Sequence, residues 1–155
     1  MSNFFVAGAA ALTSNNDKWT TPKDLYAKLH EEFNFGLDAA ALQDSALCDK
    51  WFGPDHPDRS RRDALVMDWT KDADGRGIFL NPPYGKDMKL WMRKAHLESC
   101  GGGIVVCVVP ARTDTAWWWD YCVPHEIRFI RGRLKYGGGK QAAPFASAIV
   151  IMRPL

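Results

Sequence analysis

Gly77-Ile78-Phe79-Leu80-Asn81-Pro82-Pro83-Tyr84-Gly85 is the stretch on which the reading of the fold turns. Its first four residues form an apolar run of strand length. The proline pair then stops the strand, because it removes two backbone donors and fixes both φ angles. The strand therefore ends in a rigid corner bearing an amide at Asn81 and a phenol at Tyr84. The Asn81 side-chain oxygen and the fixed carbonyls beside it make a group of neutral acceptors. Such a group suits a planar –NH2, one acceptor per proton, with the Tyr84 ring as a flat lid. Asn-Pro and Pro-Pro are also ordinary turn signals, so the tetrapeptide alone leaves a turn and a site equally open.

Downstream of the corner, residues 87–98 read as a helix with Leu90, Trp91, Ala95 and Leu97 apolar, ended by Gly101-Gly102-Gly103. Ile104-Val105-Val106-Cys107-Val108-Val109 is apolar throughout, as expected of a central parallel strand covered on both faces. Pro110-Ala111-Arg112-Thr113 closes it, and Asp114 is expected to cap a short helix carrying Trp117, Trp118 and Trp119. Residues 126–130 and 145–152 read as the last two strands, separated by the loop Gly137-Gly138-Gly139.

Upstream, Thr21 is placed as an N-cap with Pro22 at the first helical position, and Leu25, Tyr26, Leu29 and Phe33 recur at helical spacing over 22–33. Phe35-Gly36-Leu37-Asp38 is a short strand ending in an acid, and Ala39-Ala40-Ala41-Leu42 is expected to start a helix. Residues 53–62 form a loop. Ala64-Leu65-Val66-Met67 is a candidate strand that again ends in an acid, Asp68, next to Trp69. Residues 1–18 are set apart as a flexible N-terminal segment, and 19–155 as a single domain.

Strands alternating with helices predict an α/β fold with a mostly parallel central sheet flanked by helices. In such sheets ligands bind at the carboxyl ends of the strands. Asp38, Asp68, the Asn81 corner and Pro110 each fall at such an end, and their convergence favours a site over four separate turns.

Composition narrows the class. Of 155 residues, 46% are hydrophobic and 25% charged, a globular balance. With 20 basic against 18 acidic residues, net charge does not announce a nucleic-acid binder, so a basic face has to come from distribution. Arg128, Arg131, Arg133, Lys135 and Lys140 crowd one segment, and Arg59, Arg61 and Arg62 another. Such runs are usually solvated faces. The four cysteines (Cys48, Cys100, Cys107, Cys122) show no metal-ligand spacing and read as reduced thiols, Cys107 as a small core residue. No metal is expected. The apolar stretch from Phe4 to Leu12 lacks a preceding basic region and is too short to span a bilayer. A soluble, cytoplasmic protein is the expectation.

The order of these features resembles the phage-type DNA N6-adenine methyltransferases (Dam-like), within the S-adenosylmethionine-dependent class. The resemblance runs from Trp19 nearly to the C-terminus. It rests on Trp19-Thr20-Thr21-Pro22, Phe35-Gly36-Leu37-Asp38-Ala39-Ala40, Asp68-Trp69, Asn81-Pro82-Pro83-Tyr84-Gly85, Val108-Val109-Pro110-Ala111-Arg112-Thr113-Asp114-Thr115, and Arg131-Gly132-Arg133-Leu134. Asn-Pro-Pro-Tyr alone is shared with several amino-group methyltransferases. Larger relatives carry a Gly-rich Asp-x-Phe-x-Gly-x-Gly loop where this chain has Asp38-Ala39-Ala40-Ala41.

The resemblance implies a Rossmann-like methyltransferase fold and transfer of a methyl group from S-adenosylmethionine to the N6 amine of adenine in DNA. It implies a catalytic role for Asn81, Pro82 and Tyr84, and a cofactor site made by Trp19, Thr21, Pro22, Asp38, Ala39, Asp68 and Asn81. Asp38 would sit near the methionine and ribose portion, and Asp68 would receive the cofactor's adenine amine. Asp38 has a second reading as a helix N-cap, Asp68 as a turn acid, and Trp19 as a packing residue. DNA, with its target adenine flipped out, would meet Tyr84, Arg112, Trp118, Arg131, Arg133 and Lys135. Successive helical residues point about 100° apart, so at least one of the three tryptophans is left exposed or facing a partner. Arg133 has an internal alternative, bracing a strand end through Asp114. The host cytoplasm is the implied location if the gene is carried by a phage or prophage, where restriction-modification is a further association of the family. Two rival readings remain: methylation of a protein glutamine amide at N5, and a DNA- or cofactor-binding module without turnover.

Overall fold

The apolar run at 104–109 becomes the middle strand of a five-stranded sheet, as its lack of alternation requires. The computed structural model describes residues 20–137 and 142–154. Within them the strands are β1 (Phe35–Asp38), β2 (Gly77–Leu80), β3 (Val105–Pro110), β4 (Glu126–Phe129) and β5 (Ser147–Met152), in the order β1-β2-β3-β5-β4. β1, β2 and β3 are parallel, while β5 runs antiparallel to both β3 and β4. Four of the five strands thus point one way, and their carboxyl ends share an edge.

Helix α1 (Lys23–Phe33) precedes β1; α2 (Trp69–Ala73) and α3 (Met88–Cys100) flank β2 in sequence. Alternation along the strands divides the core between two faces. Val105, Cys107 and Val109 of β3 face α2 and α3 with Trp69, Trp91, Met92 and Trp118, whereas Val106 and Val108 face Leu29 of α1, Phe79 and Tyr136. β1 carries a register shift between Phe35 and Leu37, and these two residues accordingly face opposite layers. On α3 the buried stripe is Met88, Trp91, Met92, Ala95 and Ser99, while Leu90 and Leu97 lie exposed. Among the described residues no helix is long and apolar enough to cross a membrane.

Several sequence expectations are corrected. Ala39–Leu42 is not a helix. The backbone N–H groups of Ala39 and Ala41 donate to the carbonyls of Phe79 and Phe52, at 2.9 Å each, rather than to a carbonyl four residues back. Asp38 pairs with Trp51 in a parallel bridge that holds this segment open. Gly53 makes the close approach possible, since a Cβ there would lie 1.8 Å from the Ala41 carbonyl oxygen.

Residues 64–67 are not a strand. Ala64–Val66 is a single 3₁₀ turn, with the Asp63 carboxylate accepting from the Leu65 N–H. Asp68 is therefore not a strand end but the N-cap of α2, accepting from the Lys71 N–H at 3.0 Å. At α1 the N-cap is Pro22, without a side-chain cap, and not Thr21. Asp114 caps nothing either. Thr115 Oγ1 accepts from the Trp118 N–H at 3.4 Å, and the chain continues as a π-helical turn over Trp118–Cys122. Trp19, the segment 1–18 and Lys140 lie outside the described residues.

Candidate active site at the carboxyl edge of the sheet

β2 delivers Asn81 one residue past its end, and the proline pair keeps the chain from continuing along β3. Pro82 and Pro83 are buried. The Asn81 amide is held from both sides: its Nδ2 donates to Thr21 Oγ1 at 3.0 Å, and its Oδ1 accepts from the Tyr84 hydroxyl at 2.8 Å. Thr21, buried at the head of α1, thus serves the corner rather than the helix.

The Tyr84 hydroxyl also lies 3.0 Å from the Val108 carbonyl and 3.1 Å from the Tyr136 hydroxyl, which in turn sits 2.9 Å from Ser147 Oγ. Ser147 is opposite Pro110 in the β3–β5 register, which brings it to the same edge of the sheet. A hydrogen-bonded chain therefore runs from Thr21 through Asn81, Tyr84 and Tyr136 to Ser147, across the ends of β2, β3 and β5. A phenol has one proton to give, so Tyr84 donates to Asn81 Oδ1 or to Val108 O at any moment. Burial, with Tyr136 beside it, holds the Tyr84 phenol well above its ordinary pKa, and burial raises Tyr136 too. Both stay protonated at neutral pH. The Tyr84 ring packs edge-on to Tyr136 and Phe145.

A cleft opens beside the corner, with about 510 Å³ of atom-free space including its mouth. Its walls include Thr20, Thr21, Asp38, Ala40, Ala41, Leu47 and Asn81. Asp38 is 2% exposed, and among the described residues its carboxylate accepts only backbone N–H groups, from Leu47 at 3.1 Å and Ala40 at 3.4 Å. Burial raises its pKa to about 7, with the two backbone donors opposing. A buried carboxyl without a cation at the edge of a cleft suits a ligand that brings the positive charge.

The structure brings Asn81, Pro82, Tyr84, Asp38 and Thr21 together around one cleft. Others it separates. Ala39 is buried behind the wall, which Ala40 and Ala41 form instead, and Pro22 starts α1 without lining the cleft. Asp68 does not line it either; it faces a different surface hollow with Thr70, Lys94 and Glu98.

On the far side of Tyr84 a second hollow is lined by Gly85, Met88, Pro110, Arg112, Thr115 and Phe145, among others. Arg112 is exposed there, its guanidinium 5.6 Å from the Phe145 ring centre. Trp118, expected at the DNA, is 3% exposed and belongs to the core; Trp119, at 61%, is the outward-facing member of the triplet.

The basic segment also divides. Arg128 is tied to Glu32 of α1 at 2.7 and 2.8 Å and to Glu126 at 2.7 Å. Arg131, Arg133 and Lys135 remain exposed on the connection from β4 to Tyr136. Arg133 reaches the Ala143 carbonyl at 3.4 Å rather than Asp114. In the other cluster, Arg61 pairs with Asp72 and Arg62 donates to the His56 carbonyl.

Sequence reasoning missed Tyr136 and Ser147. Ser147 falls inside the expected strand 145–152 and Tyr136 just before the glycine loop, but no local pattern ties either to Asn81; the pairing of β5 with β3 brings Ser147 to the corner, and Tyr136 bonds to it there.

The chain belongs to the DNA N-6-adenine-methyltransferase (Dam) family, which it matches over residues 8–155. It is 28% identical over 102 residues to a DNA N-6-adenine-methyltransferase of Escherichia phage T1, covering 65% of this chain and 39% of the relative. It is 26% identical over 121 residues to a protein of the same description from Haemophilus phage HP1 (strain HP1c1), covering 76% of this chain and 64% of that one. The chain thus spans less than two thirds of either relative's length. No solved structure matches it.

Proposed function

We propose that the chain transfers the methyl group of S-adenosylmethionine to the N6 amine of an adenine flipped out of DNA. The observation that carries this is the Asn81 amide, clamped between Thr21 and Tyr84 at the end of β2, beside a cleft that contains the buried Asp38, which has no cationic partner among the described residues. Residues 19–155 are read as one Rossmann-like methyltransferase domain, a reading supported by four co-directional strands that present this site at their carboxyl ends.

The cleft fits the cofactor on chemical grounds. Its Ala and Leu walls are apolar, and the buried Asp38 carboxyl complements a cationic ligand. Thr21 and Asp38 would hold the methionine end. S-adenosylmethionine supplies an electrophilic methyl carbon: the C–S pair goes to sulfur as the new C–N bond forms.

The residues of the chain act on the acceptor. Adenine's exocyclic lone pair is delocalised into the ring, and two acceptors that each take one N–H draw the nitrogen toward tetrahedral geometry. Asn81 Oδ1 and the Pro82 carbonyl are those acceptors. When the amine arrives at Oδ1, the Tyr84 proton has another acceptor waiting in Val108 O, so Oδ1 is released without leaving a buried donor unsatisfied. The Tyr84 ring stacks on the flipped base. An amide is no base at neutral pH, and Tyr84 keeps its proton, so the product nitrogen loses its proton to solvent. Rate comes from positioning and fixed dipoles.

The test is incubation with labelled S-adenosylmethionine and, separately, DNA, RNA and protein, followed by digestion. N6-methyladenine from DNA is the expected product. Label in protein glutamine, in cytosine or in nothing would overturn the assignment.

A further inference from the structure

Three tryptophans in a row are an expensive way to fill a core, and the structure uses only two of them for that. Trp117 and Trp118 are 9% and 3% exposed; Trp119 is 61% exposed. Its ring is nonetheless not loose. The indole N–H donates to the Thr113 carbonyl at 2.8 Å, and its backbone N–H reaches the Thr115 carbonyl at 3.4 Å. Thr115 fastens the same loop from inside, its hydroxyl donating to the Arg112 carbonyl at 2.7 Å and its N–H to the same oxygen at 3.1 Å. Arg112 and Thr115 are wall residues of the hollow on the far side of Tyr84. Trp117, at the head of the same turn, is a wall residue as well, so a flat, solvent-facing ring is fixed to the segment that walls the hollow beside Tyr84. The π-helical turn that carries it is a rare conformation, concentrated at functional sites.

We propose that Trp119 is the residue that stacks on the DNA beside the extruded adenine, supporting the base step that the adenine leaves. The proposal rests on the reading of the Asn81 corner as an adenine-N6 site and goes beyond it. With its N–H already bonded to Thr113, the indole offers DNA only its faces and edge. Stacking of this kind is sequence-tolerant, so Trp119 promotes extrusion and does not read the recognition sequence. The exposed cations Arg112, Arg131, Arg133 and Lys135 hold the backbone that such a wedge has to push against.

The test uses the full chain, Trp119→Ala and Trp119→Phe, and two duplexes that share a site methylated by the unchanged protein. In one the target adenine is paired; in the other it lies opposite an abasic position and needs no wedge. Trp119→Ala is expected to lose about tenfold or more in kcat/KM on the paired duplex, and several-fold less on the unpaired one. Trp119→Phe should recover much of the loss, and 2-aminopurine at the target should show reduced extrusion with the alanine variant. Equal losses on both duplexes would overturn the proposal in favour of a general binding or structural role, and no loss on either would overturn it outright. If the unchanged protein methylates no DNA, so that no such site exists, the reading of the corner falls first and takes the wedge with it.

Discussion

Asp38 carries the clearest pH signature of any single residue. Its folded pKa of about 7 stands above the ordinary 3.8, chiefly because burial penalises the carboxylate. A carboxyl raised in this way binds a proton more readily folded than unfolded. Its contribution therefore favours the fold at low pH and is lost as pH rises from about 4 through about 7, by roughly 4 kcal/mol at the upper limit. Asp38→Asn is expected to flatten thermal stability between pH 5 and pH 8, which melting curves will show. A bound sulfonium and ammonium would draw the carboxyl back toward ionisation, so cofactor binding near pH 6 should release a proton and tighten as pH rises. Calorimetry in buffers of different ionisation heat measures that proton, and no release would place the cofactor's charge elsewhere. At the acceptor side, Asn81→Ala should leave cofactor affinity nearly intact and cut turnover on the order of a hundredfold; near-normal turnover would make the corner a turn. Tyr136→Phe keeps the ring packing and removes one link between Tyr84 and Ser147. It should lower kcat about tenfold with little change in KM for S-adenosylmethionine, and a shift confined to KM would contradict that role.

Among the elements, the wall over 39–42 depends on a neighbour that has no side chain. A Cβ at Gly53 would overlap the Ala41 carbonyl and meet Trp51 at 2.9 Å. Gly53→Ala should therefore displace residues 40–42, costing about 1–3 kcal/mol and weakening S-adenosylhomocysteine binding, both read from ligand-dependent melting. Unchanged binding would detach this wall from the cofactor site. At the opposite layer, Arg128 joins α1 to β4 through Glu32 and Glu126, and Arg153 meets Glu126 as well. These ion pairs are about 40% exposed, where each contributes little. Arg128→Ala should lower Tm by only about 1–3 °C and leave DNA affinity unchanged.

For the whole molecule, the net charge of +2 hides an uneven surface. Arg112, just past β3, is exposed beside the Phe145 ring, and Arg131, Arg133 and Lys135 are exposed on the segment leading from β4 to Tyr136. Phosphate contacts release counterions, so DNA affinity should fall linearly with salt on logarithmic axes. Replacing Arg131 and Arg133 with alanine should flatten that slope by about one per contact removed, on all sequences alike. Filter-binding or anisotropy titrations at several salt concentrations measure it. An unchanged slope with lowered Tm would mean that these arginines only hold the fold.

The sequence alone determined β2, the Asn81 corner, β3 and α1 to within a residue or so, because their causes are local. Apolar runs set strands, two prolines fix their own φ, and apolar spacing sets a helix. It also placed Asp38 at a strand end. Tertiary structure decided wherever distant groups competed for the same backbone. Three consecutive alanines favour a helix by propensity, yet the carbonyls of Phe79 and Phe52 take the N–H groups of Ala39 and Ala41 and hold the chain extended as a cleft wall. Ala64–Met67 has the composition of a strand, but the Asp63 side chain tightens it into a 3₁₀ turn, and Asp68 is spent on capping α2. Which of three adjacent tryptophans faces outward depends on the π-helical turn, and the closing of Tyr136 and Ser147 onto Tyr84 depends on β5 pairing antiparallel with β3. Local patterning specifies what each segment can become; long-range hydrogen bonds and packing choose among those outcomes and assemble the site from five separate segments.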